Sequence, residues 1–293
     1  MKRRLQRLLT GLLLAVFVMA ARANEVAVLV PAHSALTDAF VSALRQALPT
    51  HQVTALTPDQ QLAQSAEIVI TMGRNRLAWR QRNPAPQPTI ATYIPLESAP
   101  DASSLGPNVH VLLANPAPAR QVALAKLLLP GAGRLGVLIS QSKAGQLPAW
   151  TEAASNAQRT LNAVTIPDNG NLSRSLADVI VDSDVLLGTD DSTIYNADNL
   201  KTILLTSYSR NKVLIGPSAP FIEAGSLSTT YSSPEDMARS AAHLITQGLP
   251  AEALSYPRYF SVLSNTQVAR SLGIPLPDDA TLARRLAELE QEP

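Results

Sequence analysis

The chain predicts an α/β fold of two lobes, each a mostly parallel sheet flanked by helices. Three observations carry this. Short apolar runs alternate with helix-period segments along the whole chain, the pattern of strand–helix–strand units. Two such series of similar length follow one another and join near residue 131, which argues for two lobes rather than one wide sheet. The strand ends are loaded with hydroxyls, carboxylates and glycines, as expected where open α/β sheets bind ligands at their carboxyl ends.

The first series opens with Glu25–Pro31 (EVAVLVP), a buried strand that ends at Ala32-His33-Ser34. A helix follows, with Leu36, Ala39, Phe40, Ala43, Leu44 and Leu48 on one face, a 3.6-period stripe. Ser34 suits its N-cap. His51–Leu56 reads as the next strand and Pro58–Ala66 as the next helix. Glu67–Met72 is a third strand ending in Gly73-Arg74, and Asn75–Arg82 reads as a short, exposed, basic helix. Asn83–Pro88 is a Pro-rich loop, and Thr89–Tyr93 and Val109–Leu113 after it are two more strands. Asn115-Pro116 and Pro118 open a helix to about Leu129, stopped by Pro130-Gly131.

The second series begins at Arg134–Ser140 (RLGVLIS). It continues with a helix over Pro148–Leu161, a strand at Val164–Pro167, a turn at Asp168-Asn169-Gly170-Asn171 and a helix at Leu172–Val181. Asp184–Gly188 is a buried run that ends in Thr189-Asp190-Asp191-Ser192. Leu200, Ile203, Leu204, Ser207 and Tyr208 then share a helix face. Val213–Gly216 ends in Pro217-Ser218, a short helix spans Pro220 to Gly225, and Leu227–Tyr231 is a strand. Ser233-Pro234-Glu235-Asp236 combines an N-cap, a proline at the first position and an acid at the capping-box position. That helix runs to Gln247. Arg258–Leu263 (strand), Asn265–Leu272 (helix) and Asp278–Glu290 (helix) complete the chain.

Composition bounds the function. The 293 residues carry a formal net charge of +1, and no basic stripe interleaved with aromatics points to nucleic acid. Lys2, Arg3, Arg4 and Arg7 precede an apolar run from Leu8 to Ala20, followed by Ala21-Arg22-Ala23. This is the pattern of a cleaved signal peptide covering residues 1–23, too short for a stable membrane anchor. The chain has no cysteine, so it has neither disulfides nor the residue through which a lipoprotein is anchored. A free periplasmic protein is the expectation.

The stretch DVLLGTDDSTIYN, then LLTSY, then VLIGPSAPFIEAGSLSTTYSSPEDMARSAA resembles the substrate-binding proteins of the ABC-transporter family related to tryptophan and tyrosine import. The resemblance is weaker over the first third of the chain. It implies the type I periplasmic-binding-protein fold with three hinge crossings, near Leu129–Arg134, Leu227–Ser232 and Val262–Asn265. Residues 24–131 with 231–262 would form lobe 1, and residues 132–230 with 263–293 lobe 2. It also implies a monomer that captures an amino acid or similar ligand by hinge closure and presents it to an inner-membrane permease, without cofactor or metal.

Several motifs invite chemistry. Gly131-Ala-Gly133-Arg-Leu-Gly136 matches the dinucleotide pattern but lies between a helix and a following strand, the reverse of what that site needs. Gly216-Pro-Ser218-Ala-Pro220 lacks the second glycine of a nucleophile elbow. His33, His51, His110 and His243 form no metal-ligand spacing. No nucleophile–base pair emerges, which disfavours an enzyme.

The candidate ligand-binding residues are the polar groups at strand ends: Ser34, Gly73, Arg74, Tyr93, Ser140, Asp190, Tyr195 and Ser218. Asp190 could receive an ammonium group; the alternative for the pair Asp190-Asp191 is that one of them, Asp191 first, caps the following helix or turn. Tyr195 either covers an apolar ligand group or packs on its own helix. Gly73-Arg74 offers backbone N–H groups and a helix dipole to a carboxylate. In the resembled family the equivalent turn carries a small hydroxyl residue, and Arg74 stands there here. It either draws a more acidic ligand or is solvated beside Arg76 and Arg80. The alternative function is an interaction or sensor module of the same fold, serving a membrane receptor or an envelope protein.

Overall fold

A computed structural model describes residues 24–60, 65–167 and 170–291. The signal-peptide pattern and residues 61–64 of the segment Pro58–Ala66 lie outside the described residues, as do Asp168 and Asn169. The first sheet contains β1 (Asn24–Leu29), β2 (His51–Leu56), β3 (Ile68–Met72), β4 (Thr89–Ile94), β5 (Val109–Leu113) and the two-residue β11 (Leu254–Ser255). Its order is β11-β5-β4-β3-β1-β2, and every pairing is parallel. The second contains β6 (Arg134–Ser140), β7 (Thr160–Ile166), β8 (Val185–Leu187), β9 (Leu214–Ile215), β10 (Ser228–Tyr231) and β12 (Ser261–Ser264). Its order is β12-β10-β9-β8-β6-β7, parallel except for β12 against β10.

The strands are apolar on both faces because helices cover both faces of a parallel sheet. In the first lobe α1 (Ala35–Ala47) and α8 (Pro234–Gln247) pack around Val26, Val28, Phe40, Leu44 and Met237. The predicted caps are present. Ser34 and Thr37 form a capping box, and so do Ser233 and Asp236. On the second sheet α5 (Leu172–Val181) and α6 (Ala197–Tyr208) enclose Leu138, Leu176, Leu186 and Ile203, and the short α7 (Pro220–Ala224) follows β9.

Three expectations need correction. The helix α3 (Pro118–Leu128) was expected in lobe 1, but its buried face (Val122, Leu124, Ala125, Leu128) packs with Leu135, Val137 and Trp150 of lobe 2. The chain therefore leaves the first sheet at residues 114–117, before α3. The final crossing likewise falls before β12, at residues 256–260, because β12 pairs with β10. The remaining crossing lies between β10 and α8. The helix α2 (Arg74–Arg82) is not simply exposed: Arg76, Leu77 and Arg80 are buried. Arg80 donates to the carbonyls of Asn83, Ala85 and Gln87 and to the Thr89 hydroxyl, so it clamps the Pro-rich loop. Arg76 lies over the Trp79 ring at 5.2 Å, its stem covered by neighbours.

Candidate ligand cleft between the lobes

The carboxyl ends of the two sheets face each other across a cleft. From the first lobe it is lined by Leu96, Asn115 and Pro116, which follow β4 and β5, and by Tyr256 after β11. From the second come Gly188 and Asp190 after β8, Pro217 after β9, and Trp150 on α4 (Leu147–Asn156). The cleft is nearly full, with about 20 Å³ left open, room for little more than one water.

A distortion of β4 directs its loop into the cleft. The pairing with β5 slips between Ala91 and Ile94, and Tyr93 sits at φ 58°. A left-handed tyrosine costs about 1–2 kcal/mol, and such strain collects where a bulge re-aims the chain at a functional site. The Tyr93 ring meets Phe40 edge-on at 5.7 Å, and its buried hydroxyl has no partner among the described residues. Burial, then the charge of Glu235, raises its pKa.

The re-aimed loop delivers Glu97 to the second lobe. Its N–H donates to Asp190 Oδ2 at 2.9 Å. Its carbonyl accepts from Lys143 Nζ at 3.0 Å. Its carboxylate accepts from the Ser192 hydroxyl at 2.7 Å and the Ser192 N–H at 3.4 Å. Asn115 orients the same loop: its Oδ1 accepts from Leu96 N at 2.8 Å. Burial first, and the nearby Glu97 charge, raise the Asp190 carboxyl above its ordinary range against the hydrogen bonds and Lys143. Asp190 in turn adds to the burial that raises the Tyr256 phenol.

Asp191 has a different task. Its side chain accepts from Ser140 N at 2.7 Å, Thr193 N at 3.1 Å and the Thr193 hydroxyl at 2.6 Å. It is 1% exposed and ties the end of β6 to the loop after β8, which is the turn-capping alternative. The floor of the cleft is set by Gln121 of α3. Its amide donates to Gly216 O and Thr229 Oγ1 and accepts from Thr230 N and Oγ1, so a buried amide is fully satisfied.

Among the eight candidate residues, Asp190 lines the cleft. Tyr195 does not cover it: its ring lies in the core with Ile194, Leu204 and Phe221, and its hydroxyl donates to Leu187 O. Packing on its own helix was the alternative reading; the ring instead packs into the core of the second lobe, just before that helix begins. Ser34 is an exposed N-cap, and Gly73 (φ 79°) caps α2 with Arg74 exposed beside it. Ser140 and Ser218 are half-buried at the ends of β6 and β9. Ser140 opens on a separate hollow of about 260 Å³ with Ser142, Thr193 and Asn199. Sequence reasoning missed Glu97, Asn115, Lys143, Trp150 and Tyr256. Asn115 follows a strand directly, a signal that was available. Glu97 and Lys143 lie in loops whose course only the fold defines.

Among the described residues no cluster of three or more His, Asp or Glu side chains could hold a metal, and no helix is long and apolar enough to cross a membrane. No family model matches the chain, and no curated protein matches it. Solved structures do. A substrate-binding protein with adhesive properties from Clostridium difficile, in its ligand-free open form, aligns with a TM-score of 0.66 at 13% identity, covering 87% of this chain and 96% of that one. An ABC domain in complex with L-Trp from Streptococcus pneumonia aligns at 0.52 and 17% identity, covering 87% and 96%. A conserved domain protein from Vibrio cholerae aligns at 0.52 and 17%, covering 90% and 98%. At these identities the likeness is one of fold: the chain has the two-lobed, type I periplasmic-binding-protein-like architecture.

Proposed function

We infer that this protein is a solute receptor of the periplasm that captures a small, amino-acid-like ligand between its lobes and presents it to an inner-membrane permease. The observation that carries this is Asp190, an aspartate half-removed from solvent at a strand's carboxyl end. It faces the opposite lobe, whose Glu97 N–H donates to it. A carboxylate so placed is a strong acceptor for an ammonium group, since charge-assisted hydrogen bonds gain as water is excluded. The signal-peptide pattern and the absence of cysteine support export as a free protein. The cleft supplies donors and acceptors without a nucleophile beside a base, which suits reversible binding rather than catalysis. Closure gains its energy from contacts that a ligand makes with both lobes.

A second reading has an observation of its own. Little space is open in the cleft, and the chain's own Glu97 loop is bonded across it to Asp190, which suits an interaction or sensor module that has no solute to carry. A thermal-shift screen of the purified protein against amino acids separates the two. A ligand at a hundredfold over its Kd adds roughly 2.7 kcal/mol, about 5–10 °C in a protein of this size. A hit lost in Asp190→Ala supports capture, and a flat screen of folded protein supports the module.

A further inference from the structure

The contact that bridges the cleft has a form that a free amino acid would reproduce. One residue, Glu97, presents three groups to lobe 2, and each is recognised separately. Its main-chain N–H meets Asp190, its carbonyl meets Lys143, and its side-chain carboxylate meets the hydroxyl and N–H of Ser192. The geometry points to a site for an acidic amino acid built from Asp190, Lys143 and Ser192, with Glu97 as an internal stand-in that the incoming ligand displaces. This rests on the capture reading above and narrows its ligand from any amino acid to a glutamate-like one.

The chemistry favours exchange. A free ligand replaces the amide N–H at Asp190 with an ammonium and the amide carbonyl at Lys143 with a carboxylate. Each contact becomes charged on both sides, and ion-assisted bonds are about twice as strong as neutral ones. Glu97 has the opposite advantage: it is tethered, and a short tether acts as a local concentration in the millimolar range. Glu97 already holds the bonding positions on Asp190, Lys143 and Ser192, so the strap must leave when the ligand enters. If Glu97 occupies the site nine-tenths of the time, the observed affinity is weakened about tenfold. An aromatic or aliphatic ligand offers nothing to Ser192, and a side chain one carbon shorter than glutamate reaches it less well.

Calorimetric titration of the purified protein with L-glutamate, L-aspartate, L-glutamine and L-tryptophan tests the proposal. Glu97→Ala and the size-preserving Glu97→Gln are titrated alongside the natural sequence, with folding checked by circular dichroism. L-glutamate should bind best, and tighter to either variant, which removes the strap's charged contact with Ser192 but leaves its main-chain contacts, by up to about tenfold; Ser192→Ala should weaken it. Equal or tighter binding of L-tryptophan or L-glutamine overturns the acidic class while leaving capture intact. L-glutamate binding that neither folded variant improves overturns the strap. No binding of any of the four by the natural protein or the variants overturns the inference and the capture reading together.

Discussion

Replacing Asp191 with alanine should unfold the second lobe more readily, whereas the same change at Asp190 should not. Asp191 is 1% exposed and its carboxylate takes three hydrogen bonds, from Ser140 N, Thr193 N and the Thr193 hydroxyl. Hydrogen bonds to a charged group are worth about 1.5–3 kcal/mol each. Thr193 is exposed, so its two groups recover much of this from water. Ser140 N, at the half-buried end of β6, recovers less. The net loss is about 2–4 kcal/mol, roughly 5–15 °C in Tm. Asp190→Ala removes a carboxylate that burial and Glu97 already disfavour in its charged form, so its Tm should change by only a degree or two, with ligand binding lost. Calorimetric unfolding of both variants measures this. If Asp191→Ala melts with the natural protein while Asp190→Ala is strongly destabilised, the division of labour between the two acids is wrong.

Other consequences follow from the same geometry. A methyl group at Gly188 would lie 2.5 Å from Pro217 Cδ and 2.7 Å from Pro217 N. Gly188→Ala should therefore cost about 1–3 kcal/mol by overpacking and deform the cleft floor, seen as lower Tm and weaker binding together. Gln121→Leu leaves the buried Thr230 N–H without its acceptor; chemical denaturation should show a loss of about 1–3 kcal/mol. The raised Asp190 carboxyl makes the folded protein hold a proton that the unfolded chain has released. Stability from this group therefore falls as pH rises from 3.8 through the folded pKa, then stays level. Asp190→Asn should gain on the natural protein across that window in a Tm-against-pH series; a variant that loses ground there contradicts the assigned direction.

Much of the architecture was legible because its signals are local. Apolar runs such as Val26–Leu29 and Leu135–Ile139 can only be strands covered on both faces, and Ser233 with Asp236 marks a helix start by its own hydrogen bonds. What the sequence withheld depends on distant partners. The apolar stripe of α3 says that a core exists, not which one, so its lobe was misassigned. β11 has two residues and no periodicity to read, and it is recognised only by pairing with β5. Tyr195 occupies a strand-end loop, yet its ring turns into the core, where burial of an aromatic outweighs exposure. Asp190 could be singled out from its place after an apolar run. Its partner Glu97 lies 93 residues away, brought across by the bulge at Tyr93, and nothing in the local pattern announces that meeting.

The central claim, that the cleft between the lobes is a small-solute site, can be read from Trp150. The chain has two tryptophans; Trp150 lines the cleft, and Trp79 lies on α2 beneath Arg76. In Trp79→Phe the remaining fluorescence reports on the cleft alone. Titration with amino acids should give a saturable change in emission, abolished when Asp190→Ala is added. No change across the series, or a saturable change that survives Asp190→Ala, would contradict the claim.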